Sequence, residues 1–316
     1  MADQRVAAPA AVRTDPPSRP RPARRRGSLG PSRWVALGYV LPGLAVYAAF
    51  VLYPLGRSVH LSLFDWDGLT LATFVGIGNY LEVVTDEELR AAFGHALVLI
   101  VFFALLPTAI GLVLAAVLTR AKVRGLPFFR TVVFLPQVVA MVVVGVAWRQ
   151  LYAPDGSVND LLDLVGLDGL ARAWLGDTTF ALPAVGVIGT WVQTGLVTVL
   201  LMAGMSRIPD QLYEAARLDG AGPVREFFAI TLPSVRGELA VALTLTVIAA
   251  LKTFDLIYIT TGGGPGNRTS VPSFEVYNRA FRLGEVGSAA AVGVTLTVII
   301  FAINLAVARI GEREAR

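Results

Sequence analysis

The sequence predicts an all-α, polytopic membrane protein with six transmembrane helices. Hydrophobic residues make up 55% of the chain and charged residues 16%, which is typical of a membrane protein and not of a soluble globule. Six apolar runs also recur along the chain, and each has roughly the 20 residues that a helix needs to cross a bilayer. We place the six helices near residues 34–55, 92–118, 128–151, 180–205, 239–259 and 286–308.

A tail, residues 1–31, precedes the first apolar run. It is rich in Pro, Ala and Arg and has no apolar periodicity, so we expect it to be disordered. Such a tail could bind nucleic acid, but a positively charged flank before a membrane helix is the stronger interpretation. We therefore predict no nucleic-acid partner, and a single membrane domain over residues 32–316.

Three of the apolar runs contain a proline, at Pro42, Pro107 and Pro136. A proline frees a backbone carbonyl group, which neighbouring helices of a bundle can satisfy. We expect kinks at these positions and no interruption of the spans.

The basic residues predict the orientation of the helices. With the N-terminus in the cytoplasm, nineteen of the 27 Lys and Arg residues fall in cytoplasmic segments and seven in external loops. Cytoplasmic loops carry such an excess of positive charge. Both termini, and the loop between the fourth and fifth helices, are therefore expected in the cytoplasm.

That loop, about residues 206–238, is a polar stretch that we call the elbow. Pro209 suits the first turn of a helix, and Gly220 is a natural stop for it. Gly222 and Pro223 restart the chain as a second short helix, which Pro233 is expected to break. A helix–glycine–helix unit with a small-residue face is suited to a groove of another protein, although an amphipathic connector between membrane helices has the same general pattern.

The elbow resembles the EAA loop of ABC-importer permeases, in which Glu-Ala-Ala and a glycine precede an I-x-L-P stretch. The residues at the family's spacing are Glu214, Ala215, Ala216, Asp219, Gly220, Ala221, Ile230, Leu232 and Pro233. In that family the loop is a coupling helix that docks on a cytoplasmic ATPase subunit. The resemblance implies an importer-type permease fold for the membrane domain, with the elbow as its ATPase-coupling loop.

Charged and aromatic residues lie together in the fifth predicted helix. Lys252 and Asp255 are three residues apart and would share one face of that helix. Charge at membrane depth is costly unless it is paired or faces water, so the two residues either line a solute pathway or form a local ion pair. Phe254 and Tyr258 lie one turn apart beside them, which favours a pathway lined by all four residues.

A glycine-rich turn with Gly262, Gly263, Gly264 and Pro265 follows this helix, and a flexible turn would have the same composition. Its surroundings are also similar to the signature F-D-x-I-Y-x-x-T-x-G-G-P-x-x-x-T of the maltose and glycerol-3-phosphate permease branch. The matching residues are Phe254, Asp255, Ile257, Tyr258, Thr261, Gly263, Gly264, Pro265 and Thr269. The resemblance implies that the turn is an outer gate or a contact for an external solute-binding protein.

The longest external segment, about residues 56–90, contains the stretch FVGIGNY at residues 74–80. We predict a turn followed by a short interfacial helix. A similar F-V-G-x-x-N-Y stretch precedes the second helix of sugar-permease relatives.

Polar side chains occur in other predicted helices as well. Trp191 and Gln193 could together hold a sugar, because an aromatic ring covers C–H faces and an amide bonds hydroxyl groups. Hydrogen bonding between neighbouring helices explains the same two residues equally well. Gln137 and Asn304 are expected to pack within the bundle.

Several kinds of chemistry are excluded by what the sequence lacks. It contains no cysteine, which rules out disulfides, thiol catalysis and cysteine-based metal sites. His60 and His95 are its two histidines, and their positions favour packing over metal binding. The dipeptide Gly-Lys is absent, so there is no P-loop for ATP. We expect a transport subunit and not an enzyme, without metal or cofactor of its own, whose ATP and Mg²⁺ are bound by a partner chain.

The resemblance implies a larger assembly in a bacterial plasma membrane. Its members would be this chain, a second homologous permease, two copies of a cytoplasmic ATPase and an external solute-binding protein, and its cargo a sugar or sugar-like solute. An ion-gradient-driven secondary transporter is the main alternative, with Lys252 and Asp255 as its ion site. A membrane enzyme or scaffold is a further alternative. Neither explains the elbow.

Overall fold

The computed structural model describes residues 33–120 and 125–313, which fold almost entirely into helices. The predicted tail, residues 1–31, lies outside the described residues. In the first described range the helices are α1 (Arg33–Tyr47), α2 (Tyr53–Leu61), α3 (Gly78–Thr85), α4 (Glu87–Ile100) and α5 (Leu106–Arg120). In the second they are α6 (Leu126–Val138), α7 (Met141–Leu151), α8 (Ser157–Leu164), α9 (Ala181–Met205), α10 (Asp210–Leu218), α11 (Pro223–Glu226), α12 (Leu232–Ser234), α13 (Arg236–Leu251), α14 (Asp255–Thr260), α15 (Pro272–Asn278) and α16 (Val286–Arg313).

Among the residues that the structure describes, four helical segments are long and apolar enough to cross a membrane, and the number rises to six if two bent helix pairs are each one span. The four segments are Leu37–Leu61, Glu87–Thr119, Ala181–Met205 and Val286–Arg309. The bent pairs are α6 with α7, at 96°, and Pro223–Ser234 with α13, at 70°. The predicted all-α, polytopic fold is therefore confirmed.

Two of the predicted kinks have different outcomes. The third predicted helix, residues 128–151, is not continuous: α6, with Pro136 near its end, stops at Val138, and α7 begins at Met141 after a bend of 96°, so the expectation of a kink without interruption is wrong there. Pro107 lies in the first turn of α5, directly after a π-helical turn at Val101–Leu105. A wider turn at this point accommodates the proline ring and its missing N–H, and the helix continues as part of one long span.

The fifth predicted helix, residues 239–259, is wrong as a continuous element. α13 ends at Leu251 and α14 begins at Asp255, and between them Phe254 has φ −130° and ψ −57°. The Ser273 hydroxyl donates to the Leu251 carbonyl at 3.3 Å, which satisfies one of the backbone groups that the break frees. We call residues 252–254 the break. No proline or glycine marks it, so the sequence pattern continues through it as an apolar run.

The described residues form two compact units, one ending at Leu52 and the other beginning at Tyr53. The first consists of α1 and the π-helical turn Ala48–Leu52, whose large apolar side chains are exposed. The second contains the other helices and the buried core.

Helix α9 lies at the centre of the second unit, where α5, α6 and α13 pack against it. A Cβ added at Gly189 would lie 2.0 Å from the Phe103 ring, and one added at Gly195 would lie 2.3 Å from the Val133 carbonyl oxygen. These glycines let the neighbouring helices approach closely, as is common in membrane bundles. α13, which joins the elbow to the break, also packs directly on α9.

A short antiparallel hairpin precedes α3. Its strands are β1 (Phe64–Asp65) and β2 (Thr73–Phe74), with Phe64 opposite Phe74. The buried Asn79 side chain donates through Nδ2 to the carbonyls of Ser62 and Phe64, at 2.9 Å in each case. The predicted short helix is present as α3. The hairpin was not predicted, because two-residue strands show no alternating pattern.

Candidate functional site

The first limb of the elbow, α10, ends in a Schellman cap. The Ala221 N–H donates to the Ala216 carbonyl at 2.8 Å, and the Gly220 N–H donates to the Arg217 carbonyl at 3.0 Å. Gly220 has φ +78°, and no heavy atom would lie within 4 Å of a Cβ placed on it. The glycine is therefore required by its left-handed backbone and not by lack of space.

The second limb, Pro223–Ser234, runs through α11, a π-helical turn at Phe227–Thr231 and α12. The limb stays helical through Pro233, which lies just after the π-helical turn, and ends one residue later at Ser234, so the break expected at Pro233 itself is displaced. The chain changes direction instead at the buried Val235, where the bend of 70° to α13 begins.

Two side-chain contacts join the limbs. Arg217 Nε donates to Glu226 Oε1 at 3.0 Å, and Tyr213 Oη shares a hydrogen bond with Thr231 Oγ1 at 2.9 Å. Glu226 and Thr231 are both buried, with Glu226 only 3% exposed. A buried carboxylate is costly unless it is paired, so the Arg217 contact favours one relative position of the limbs.

A cavity of about 550 Å³ separates the first limb from α5 and α9. Glu214 and Arg217 line it from the elbow, and Thr119 and Met205 line it from the ends of α5 and α9. The first limb is therefore only partly packed against the membrane helices. Its position depends largely on its contacts with the second limb.

The elbow also presents apolar side chains to its surroundings. The large exposed ones are Leu212, Leu218, Val224 and Phe228, and Leu218 is 90% exposed. Of the residues in the family pattern, Glu214, Ala215, Asp219 and Gly220 are exposed, whereas Ala216, Ala221, Ile230, Leu232 and Pro233 are half-buried. Large exposed apolar groups on an otherwise polar segment are typical of a surface that binds another protein.

The break separates Lys252 from Asp255, so the expectation of a shared helix face is wrong. Lys252 caps the C-terminus of α13, and Asp255 begins α14. Both side chains are exposed, and no ion pair joins them within the part of the chain that the structure describes. Each charge is therefore available to water or to a solute on its own.

The structure brings Phe254 and Tyr258 together. Their ring centroids are 5.3 Å apart and the rings are inclined by 24°, which is a stacked arrangement. Phe254 is half-buried against the core, while Tyr258 is exposed. The pair therefore offers one aromatic surface beside the break.

Trp191 and Gln193 do not form one site. They are two residues apart on α9 and lie on different faces of the helix: Trp191 is 45% exposed and Gln193 is 5% exposed. The Trp191 ring contacts that of Trp148, with centroids 5.7 Å apart. Gln193 Oε1 is buried without a hydrogen-bond partner among the described residues. The idea that the two residues jointly hold a sugar is wrong, because the amide lies in the core.

The glycine-rich turn is held by hydrogen bonds. Gly262 and Gly263 have φ of +58° and +87°. The buried Thr269 hydroxyl donates to the Gly264 carbonyl and shares a hydrogen bond with Thr261 Oγ1, both at 2.7 Å. A Cβ added at Gly263 would lie 2.7 Å from the Phe274 ring. The threonines of the sequence signature thus support a defined loop, not a loose turn.

An ionic cluster around the buried Arg279 was not predicted as a site. The Arg279 guanidinium donates to Glu82 at 2.6 Å, to Glu285 at 3.1 Å and to Ser288 at 2.8 Å, and Asp86 lies 3.7 Å away. Burial lowers the pKa of Arg279, but the Glu82 hydrogen bond and the nearby carboxylates outweigh that effect and raise it. Arg279 therefore stays charged, and it ties α3 and α16 to the segment after α15. Its partners are far apart in sequence, so no local pattern indicates the cluster.

No cluster of three or more His, Asp or Glu side chains that could hold a metal ion occurs in residues 33–120 and 125–313. What these residues do present is an apolar helix bundle, a projecting elbow and an aromatic surface at a helix break. These are the features of a membrane transport subunit.

Comparison with known proteins gives the class. The family described as "Binding-protein-dependent transport system inner membrane component" matches residues 97–316. The chain belongs to this family: it is an ABC transporter permease subunit, an inner-membrane component and not an enzyme.

Individual relatives cover nearly the whole chain. The "Probable ABC transporter permease protein YurN" of Bacillus subtilis is 39% identical, over 84% of this chain and 92% of its own length. The "Diacetylchitobiose uptake system permease protein NgcF" of Streptomyces coelicolor is 33% identical, over 97% of this chain and 92% of its own. A crystal structure of a bacterial alginate ABC transporter, in complex with an alginate pentasaccharide-bound periplasmic protein, has a similar fold, with a TM-score of 0.75, 22% identity and coverage of 89% and 94%.

Proposed function

We propose that this chain is the permease subunit of an ATP-driven, binding-protein-dependent importer for a sugar or sugar-like solute. The observation that carries the proposal is the elbow, a capped and braced helix pair that presents apolar groups outward and lacks any ATP-binding motif of its own. A transporter without a P-loop takes its energy from a partner chain or from an ion gradient, and the elbow favours the partner chain. The family to which the chain belongs, together with the relatives above, supports the same assignment.

The elbow would act as the coupling element. Docking on a cytoplasmic ATPase would bury Leu218 and its apolar neighbours, and closure of two ATPase copies on ATP would then displace the elbow. Because the Arg217–Glu226 contact braces the limbs, the displacement would pass through the bend at Val235 to α13 and on to the break. ATP and Mg²⁺ would remain in the partner chains.

The chemistry of the aromatic surface at the break and the names of relatives both support a sugar as the solute. The stacked rings of Phe254 and Tyr258 offer a surface for the C–H face of a sugar, and the exposed Lys252 and Asp255 offer polar groups beside it. The relatives include a diacetylchitobiose permease, and a chain of similar fold belongs to an alginate transporter. A second homologous permease would complete the pathway, and a solute-binding protein would deliver the sugar near the loop of Gly262 to Pro265.

Charge distribution supports the orientation that this function needs. The excess of basic residues in the tail, the elbow and the C-terminal end favours a cytoplasmic position for all three segments. The elbow would then face the ATPase, and the glycine-rich loop would face the binding protein outside the plasma membrane.

Reconstitution tests the proposal against its main rival. The chain would be purified with the products of its neighbouring genes and placed in proteoliposomes, and uptake of labelled maltose, lactose, diacetylchitobiose and alginate pentasaccharide would be measured. We expect uptake of at least one sugar that requires ATP and the binding protein and that survives collapse of the proton gradient. Uptake that continues without ATP but stops when the gradient collapses would select a secondary transporter instead.

A further inference from the structure

The stacked pair at the break is part of a longer row of rings. The Tyr277 ring centroid lies 5.4 Å from that of Phe254 and 5.3 Å from that of Tyr258, and the Phe281 centroid lies 5.6 Å from that of Tyr277. We call Phe254, Tyr258, Tyr277 and Phe281 the aromatic strip. It crosses from the break and α14 to α15 and the π-helical turn Arg279–Leu283.

The strip is anchored at one end and open at the other. Phe254 stacks on the buried Phe274 with centroids 6.5 Å apart, and it packs against the core. Tyr258 is exposed, and Phe281 is 79% exposed. The rings are therefore held in place from behind while their outer faces remain free for a ligand.

Charged side chains on the same surface argue against a lipid-facing position. On α14 the side chains of Leu256 and Ile257 are buried, whereas Asp255 and Tyr258 lie three residues apart on the opposite, exposed face. At the other end Arg282 is exposed and lies close enough to Tyr277 for its charge to act on the phenol. Hydrocarbon disfavours such charges strongly, so this surface faces water or a polar ligand.

The strip also carries polar groups of its own. The Tyr258 and Tyr277 side chains interact closely enough for the Tyr258 side chain to raise the pKa of the Tyr277 phenol. Phenol hydroxyls both donate and accept hydrogen bonds. Rings that cover C–H faces, combined with hydroxyl groups and flanking charges, match the alternating apolar and polar surface of a pyranose.

We propose that Tyr277 and Phe281 are solute-binding residues, and that the aromatic strip is a stacking platform on which pyranose rings are held during translocation. This inference rests on the proposed function and names two residues that the sequence motifs do not single out. It also gives the Arg279 cluster a role. Arg279 lies between Tyr277 and Phe281 in the chain, and its carboxylate partners hold that segment rigid before the solute arrives.

The test uses the complete transporter with its ATPase and binding protein in proteoliposomes. For a sugar that the wild type imports in the reconstitution above, we would measure the sugar imported per ATP hydrolysed, and separately the affinity for the loaded binding protein. The variants are Phe281→Leu, Tyr277→Leu and Tyr277→Phe. The matched control is Phe301→Leu, because Phe301 is 71% exposed on α16 and lies outside the strip.

We expect Phe281→Leu and Tyr277→Leu to lower the sugar imported per ATP by about three- to tenfold, the range of one lost ring contact. The affinity for the binding protein should not change, and Tyr277→Phe should retain more transport than Tyr277→Leu because it keeps the ring. If Phe281→Leu leaves the sugar imported per ATP unchanged, or if Phe301→Leu lowers it equally, the strip has no role in binding the solute. The proposed function would still stand. A wild type that imports none of the four sugars tested above with ATP would overturn the proposed function together with the role of the strip.

Discussion

Arg217 and Glu226 connect the two limbs of the elbow through a 3.0 Å contact between Nε and Oε1. The two residues differ in their surroundings: the arginine side chain is largely exposed, and the glutamate is buried. The exposed limb is therefore held by an acceptor that belongs to the more deeply packed limb. Motion imposed on α10 from outside would be passed to the second limb, and not absorbed between them.

Removal of the Arg217 side chain should uncouple the elbow. Arg217→Ala leaves a buried carboxylate with one contact fewer, so we expect the sugar imported per ATP to fall several-fold while the assembled transporter still hydrolyses ATP. Arg217→Lys should restore part of the ratio because it keeps the charge. The measurement is paired uptake and ATPase activity in proteoliposomes.

Arg90→Ala is the control for this prediction, because Arg90 is an exposed arginine on α4, away from the elbow. The sugar imported per ATP hydrolysed by Arg90→Ala should equal that of the wild type. If Arg217→Ala also retains the wild-type ratio, the brace between the limbs has no part in coupling.

Substitution of Gly220 should be costly because of backbone conformation and not because of size. With φ +78° and open space around the position, Gly220→Ala and Gly220→Leu should destabilise the cap similarly, by about 1–2 kcal/mol. Gly220→Asn should be milder, since asparagine tolerates the left-handed region. Thermal unfolding and coupling ratios would be measured on the same preparations.

Gly166 offers a matched control, because it has φ +76° and equally open space but lies outside the elbow. Gly166→Ala should lose similar stability and keep normal coupling. A large excess cost for Gly220→Leu over Gly220→Ala would instead indicate a tight contact at this position in the assembled transporter.

The carboxylates around Arg279 should contribute unequally to the stability of the protein. Glu82 accepts from Arg279 at 2.6 Å and also accepts from the Ser288 hydroxyl, whereas Glu285 makes the longer contact of 3.1 Å. We expect Glu82→Gln to lower the free energy of unfolding by about 1.5–3 kcal/mol, the range for hydrogen bonds to charged groups, and Glu285→Gln to cost less. Thermal unfolding in detergent measures both, and the reverse order would show that the cluster is held differently.

The features of the fold and of the candidate site that the sequence predicts are those with local signals. Pro209, Gly220 and Pro223 mark the ends of the two limbs because proline and glycine act on the backbone where they occur. The sequence also predicts that Trp191 and Gln193 lie on different faces of their helix, since residues two apart on a helix cannot share a face.

The remaining features depend on contacts that are distant in sequence. The break after Leu251 carries no proline or glycine and is supported by Ser273, from a different helix. Glu82 and Arg279 are 197 residues apart. Rings from α14 and α15 meet only after both helices pack on the core. A local pattern cannot show such pairings, whatever its strength.

The most direct test of the coupling role uses the absence of cysteine from the chain. Leu218→Cys places a single thiol at the most outward apolar position of the first limb, and Leu164→Cys places one at a similarly exposed position on α8. A short bifunctional reagent would be added to the assembled transporter with and without ATP. We expect Leu218→Cys to cross-link to the ATPase subunit, with a yield that changes on ATP binding, and Leu164→Cys not to cross-link. Equal yields from the two positions, or no cross-link from Leu218→Cys in a transporter that still imports sugar, would show that the elbow is not the coupling element.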